Sequence, residues 1–128
     1  MAGAIILGDR AGWSVATWCY TYTVELVLKH SASLPQEVRK RFEEGLPPHM
    51  LGVMLTDLDG KQLEAVLDCL HQGYESEKRT RGAGWRSPSF WEPFMNGLQE
   101  LIRLIDLDSR ISRHRPAPGD TWKESAET

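Results

Sequence analysis

Residues 13–31 run for 19 positions without a glycine or a proline, and two incompatible periodicities fit them. Spaced as a strand, Ala16, Trp18, Tyr20, Tyr22, Val24, Leu26 and Leu28 share one face, while Thr17, Thr21, Thr23, Glu25 and Lys29 share the other. The content of Thr, Tyr, Trp and Val suits a pleated surface. Spaced as a helix, Ser14, Thr21, Glu25 and Lys29 form one narrow polar stripe on an otherwise apolar cylinder, as in a helix buried within a bundle. Length favours the helix, because strands average about 5 to 6 residues and helices about 11 to 12. Were the segment a strand, Ile5–Leu7 would pair with it through the turn Gly8-Asp9-Arg10-Ala11-Gly12.

The remaining elements are signalled by caps and breakers. Ser33, Pro35 and Gln36 open a short helix carrying Leu34, Val38 and Phe42, with Glu37–Arg41 and Lys40–Glu44 as i,i+4 ion pairs, and Gly45 before Leu46-Pro47-Pro48 ends it. His49–Leu55 is a brief apolar run compatible with a helical turn or a strand. Thr56–Arg79 reads as a long helix capped by Thr56 or Asp57, its inner face bearing Leu58, Leu63, Val66, Leu67, Leu70 and Tyr74. A basic glycine-containing loop spans 80–87. A last helix begins near Pro88, capped by Ser87 or by Ser89 with Glu92, and offers Phe90, Phe94, Leu98, Leu101, Ile102 and Ile105 to the core.

The fold class expected is mainly α: a compact bundle of about four helices with a short extended N-terminal segment and a docked C-terminal tail. The alternative is α+β, with an N-terminal hairpin from residues 4–7 and 13–28. A length of 128 residues suits one helical domain over 1–108, followed by a polar, Pro-containing tail over 109–128. Thr21, Thr23, Glu25, Lys29 and His30 interrupt the most apolar segment, so a membrane span is not expected. The first residues lack the basic start and apolar run of a secretory signal, which points to the cytoplasm. Cys19 and Cys69 have no Cys-x-x-Cys spacing and read as buried thiols. A net charge of -3 carries no overall nucleic-acid footprint.

Val53-Met54-Leu55-Thr56-Asp57-Leu58-Asp59-Gly60-Lys61 resembles the first motif of the haloacid dehalogenase-type phosphatases, an apolar strand followed by Asp-x-Asp-Gly-Thr. The resemblance covers nine residues and implies Asp57 as nucleophile, Asp59 as general acid and Mg²⁺ between them. The chain departs from that pattern at Lys61, where the family has Thr, and shows no alternation of strands and helices for a parallel sheet. The reading carried forward is two acids placed favourably at a helix N-terminus. A calcium loop is rejected because Gly60 and Lys61 stand out of register. His30, His49, His71 and His114 lack metal-ligand spacing. No cofactor and no metal are expected.

Two constellations remain. The acids Asp57, Asp59, Glu64, Asp68, Glu75 and Glu77 can steer a basic partner. The loop Lys78-Arg79 to Trp85-Arg86 combines arginines with an aromatic anchor, a pairing enriched at protein interfaces and also able to hold a nucleic-acid strand. The expectation is a non-catalytic protein-binding module resembling, in general character, the small cytosolic immunity proteins and antitoxins of bacteria. Asp57, Asp59, Glu64, Asp68, Glu75, Trp85 and Arg86 would meet a basic toxin or effector domain.

Overall fold

In the computed structural model, residues 2–8, 12–46, 52–81, 85 and 88–114 are described. The strands are β1 (Ala2–Ile6), β2 (Gly12–Ala16) and β3 (Gly52–Met54). The helices are α1 (Thr17–Lys29), α2 (Gln36–Glu44), α3 (Gly60–Thr80), α4 (Pro88–Asp106) and α5 (Ser109–His114). The sheet runs β2-β1-β3, with β1 antiparallel to β2 and parallel to β3. The chain is thus helix-rich with a small sheet, and its N-terminus follows the α+β alternative.

The helix expected over 13–31 is corrected by this arrangement, and so is the strand over 13–28. Both periodicities were present because both structures are. The strand occupies Gly12–Ala16 and turns directly into α1 at Thr17. Register explains the switch: Ala2 faces Ala16 and Ile6 faces Gly12, so β1 is used up where β2 stops. From Thr17 onward the chain pairs its own backbone groups as a helix.

Alternation along the strands assigns the faces. Gly3, Ile5 and Leu7 are buried, as are Trp13 and Val53 in register with Ile5, whereas Ala2, Gly12, Ser14 and Met54 are exposed. Against the buried face lie Tyr20, Val24 and Val27 of α1, Val38 and Phe42 of α2, Leu63, Val66, Leu67 and Leu70 of α3, and Phe94, Leu98, Leu101 and Ile105 of α4, in one apolar cluster. Phe90, expected on the core side of α4, stands outside at 51% exposure. Among the described residues no helix is long and apolar enough to cross a membrane.

Tyr20 fixes how α1 sits on the sheet. Its ring lies where a Cβ on Gly3 would come within 2.2 Å, and a Cβ on Gly45 would come within 2.7 Å of its hydroxyl. That hydroxyl donates to the Gly45 carbonyl at 2.7 Å. Burial pushes the phenol up to about 12, so it remains a neutral donor at physiological pH. Trp13 fastens the other end of the hairpin, donating its indole N–H to the Gly97 carbonyl of α4 at 2.9 Å.

Arg110 closes the fold at its far end. Asp108 orients its guanidinium at 3.0 Å, and the same group donates to the carbonyls of Leu55, Leu58 and Leu7 at 2.7, 2.9 and 2.6 Å. One side chain thereby ties α5 to the end of β1 and to the connection between β3 and α3, with Ile111 buried beside it. Residues 109–114, expected as the start of a tail, are therefore helix. The proposed docking of 115–128 lies outside the described residues.

Replacing Arg110 with Met preserves most of the volume and removes those donors. We expect Arg110→Met to lower the free energy of unfolding by about 3 kcal/mol, since buried acceptors and the Asp108 carboxylate lose a charged partner. Urea denaturation checks this, and a change below about 0.5 kcal/mol would show that the hub contributes little.

Candidate functional site

The acids that the sequence groups together are divided by the structure into two sets. Asp57 lies in the connection after β3, where Arg41 of α2 grips it with its two terminal guanidinium nitrogens, at 2.5 and 2.8 Å. Arg41 also donates to the Met54 carbonyl at 2.8 Å, so the pair ties α2 to the exit of β3. The expected Glu37–Arg41 pairing gives way to this bidentate geometry, and Glu37 instead accepts from Gln62 at 2.8 Å. Arg41 holds the Asp57 carboxyl down at about 2.

Asp59 is the N-cap of α3: its carboxylate accepts from the Gln62 backbone at 2.8 Å, and the Gln62 side chain accepts from the Asp59 backbone at 3.0 Å. This capping box starts the helix at Gly60, which corrects the start expected at Thr56 or Asp57. Both acids of the phosphatase-like string therefore do structural work: one faces an arginine and the other the first turn of a helix. Among the described residues no group of three or more His, Cys, Asp and Glu could hold a metal. Cys19 and Cys69 are both free and buried, as their spacing implied.

Glu64, Asp68 and Glu75, at i, i+4 and i+11, share one stripe of α3; Asp68 and Glu75 are exposed and Glu64 is half-buried. Toward the C-terminal end, Glu75 lines a groove of about 650 Å³ with Lys78, Arg79, Arg81 and Trp91. The stripe is thus acidic at its start and mixed at its end. Arg86 lies outside the described residues.

Trp85 is not a free anchor. Its ring stacks on Tyr22 with centroids 4.3 Å apart, lies tilted against buried Phe94 at 5.2 Å, and its indole N–H donates to Glu77 at 2.9 Å. A base could not stack on the face that Tyr22 already covers, which weighs against the nucleic-acid alternative.

That stacking belongs to a larger feature that composition did not reveal. Trp18 and Tyr22, one turn apart on α1, are 40% and 39% exposed. Trp18 meets Phe90 of α4 at 5.1 Å, and Tyr22 meets Phe94 at the same distance. Trp18 with Phe90, and one turn further along α1 Tyr22 with Trp85, thus make two neighbouring aromatic pairs that together form a ridge beside α1. Beyond Tyr22 the exposed side of α1 continues with Glu25 and Lys29, and a pocket of about 260 Å³ is lined by Tyr22, Glu25, Leu26, Lys29 and Glu77. Burial raises the Tyr22 phenol, and the negative charges of Glu77 and Glu25 raise it further. In sequence this face read as part of an apolar helix; the signal that could have found it is the i, i+4, i+7 spacing of Trp18, Tyr22 and Glu25, opposite Tyr20, Val24 and Val27.

No protein-family model matches the chain, and no curated protein does. A solved structure does match, described as the CdiA-CT toxin from Burkholderia pseudomallei E479 in complex with cognate CdiI immunity protein. The TM-score is 0.62 at 17% identity, over 86% of this chain and 99% of the matched chain. At that identity the likeness is one of fold.

The Arg41–Asp57 pair has a pH signature. Asp57 is ionised in the folded state down to about pH 2, whereas an unfolded aspartate protonates near 3.9. Its stabilising contribution is complete above that unfolded value and is lost as pH falls through the folded one. We expect Asp57→Asn to lower the melting temperature at neutral pH and to flatten its decline between about pH 4 and pH 2 relative to wild type. Parallel acid profiles of the two proteins would show that the pair does not couple to folding.

Proposed function

We propose that this chain is a non-catalytic cytoplasmic inhibitor that binds and masks a cognate protein, in the manner of an immunity protein. The observation that carries the proposal is the fold, which aligns at a TM-score of 0.62 along 99% of the toxin chain of a toxin–immunity complex. The matched chain is the toxin's and it is bound by its cognate immunity protein, so the likeness supports recognition of a cognate protein.

The immunity role draws further support from the surface. The exposed carboxylates Asp68 and Glu75, with Glu64 beside them, suit a basic toxin or effector domain. Asp57 and Asp59, occupied by Arg41 and by the α3 backbone, stay in the proposal only as supports for that face. Trp85 supports the ridge in the same way, through its stacking on Tyr22.

A second reading follows from the same match, which is to the toxin chain: this chain is itself the toxic member of such a pair. Expression separates the two. Under the immunity reading, inducing this chain alone in the bacterium that encodes it leaves growth unchanged. Inducing the polypeptide encoded beside it arrests growth, and co-induction restores it. Growth arrest by this chain alone would instead establish the toxin reading.

A further inference from the structure

We propose that the ridge formed by Trp18, Tyr22 and Phe90, together with the adjoining Glu25–Glu77 pocket, is the surface that receives the partner, and that the pocket takes an arginine side chain from it. The inference rests on the reading of the chain as a binder of a cognate protein, and it moves the centre of that interface from α3 to α1 and α4.

Among the described residues the exposed large apolar side chains also include Met54 and Leu107, but the three aromatic ones are gathered here. Aromatic side chains bury large areas when they find a place in a core, and Trp and Tyr are the types that carry most binding energy at protein interfaces. Trp18, Tyr22 and Phe90 remain 40%, 39% and 51% exposed. They are also preassembled, because the contacts among Trp18, Phe90, Tyr22, Trp85 and buried Phe94 hold the rings in place before any partner arrives. A rigid ridge gives up little conformational freedom on binding.

The chemistry of the occupant follows from the pocket beside the ridge. It is lined by Tyr22, whose other neighbour is the stacked Trp85 ring, by Leu26 and Lys29, and by the carboxylates of Glu25 and Glu77. An aromatic face beside carboxylates is what a guanidinium seeks, combining cation–π attraction with charge-assisted hydrogen bonds. Glu77 accepts a hydrogen bond from the Trp85 indole through one oxygen, which holds its carboxylate toward the aromatic cluster. Lys29, one turn beyond Glu25, also lines the pocket, so the two carboxylates outnumber the one ammonium there.

The test uses the intact chain and the peptide acetyl-Arg-Arg-Arg-amide as probe, followed by the indole N–H resonances in two-dimensional NMR. We expect saturable shifts at Trp18 and Trp85, the second because its N–H reports on Glu77, and none at Trp13, which is bonded to Gly97 inside the fold. Glu25→Lys, an exposed substitution, should weaken the probe roughly tenfold, and Trp18→Ala comparably. Acetyl-Glu-Glu-Glu-amide should leave the resonances unmoved. Equal shifts from both peptides, shifts confined to other residues, or a Glu25→Lys variant that binds the probe as well as wild type would overturn the proposal. A chain that protects its host in the growth assay yet ignores the arginine peptide would keep the inhibitor reading and discard this surface.

Discussion

The seating of Tyr20 between Gly3 and Gly45 is the constraint on which the rest of the structure depends. A helix on a sheet has one rotational freedom that apolar patterning alone leaves loose, and α1 is apolar on nearly every side. Tyr20 removes that freedom: its ring needs the missing Cβ of Gly3, and its hydroxyl finds the Gly45 carbonyl at 2.7 Å. With Tyr20 inward, Val24 and Val27 follow it, and Trp18, Tyr22, Glu25 and Lys29 must face out. The geometry of the core thereby dictates what the surface presents.

Polar ties hold the connections around that core, and they account for most of what the sequence offered as candidate chemistry. Arg110 gathers carbonyls from the end of β1 and from the β3–α3 connection, Arg41 clamps Asp57, and Asp59 caps α3. Each of these acids and arginines satisfies backbone or charge that a loop would otherwise leave to water. A string such as Asp57-Leu58-Asp59-Gly60 can mimic a catalytic motif because helix starts and phosphoryl sites both favour carboxylates followed by glycine.

Much of the helical layer was legible in the chain. The span of α3 and α4, the brief α2 and the core positions Leu63, Val66, Leu67, Leu70, Phe94, Leu98 and Leu101 follow from 3.6-residue spacing. The sheet was less so, because β2 and α1 join without a breaker at Ala16–Thr17, and only the length of β1 says where one ends. The acidic set was visible as composition, but its partition was not, since Arg41 reaches Asp57 across 16 positions. Phe90 was misplaced for a related reason: apolar character assigns a residue to the core by default, and the ring it meets, Trp18, lies 72 positions earlier and is itself exposed.

Tyr20 and Tyr22 are chemically identical, two residues apart on one helix, and the account assigns them opposite environments, 0% and 39% exposed. Hydroxyl-radical footprinting of the free chain, read by mass spectrometry at single residues, compares them directly. The account predicts that Tyr22, Trp18 and Phe90 are oxidised readily while Tyr20 and Phe94 resist. Oxidation of Tyr20 at the rate of Tyr22 would contradict the wedge, and with it the orientation of every side chain on α1.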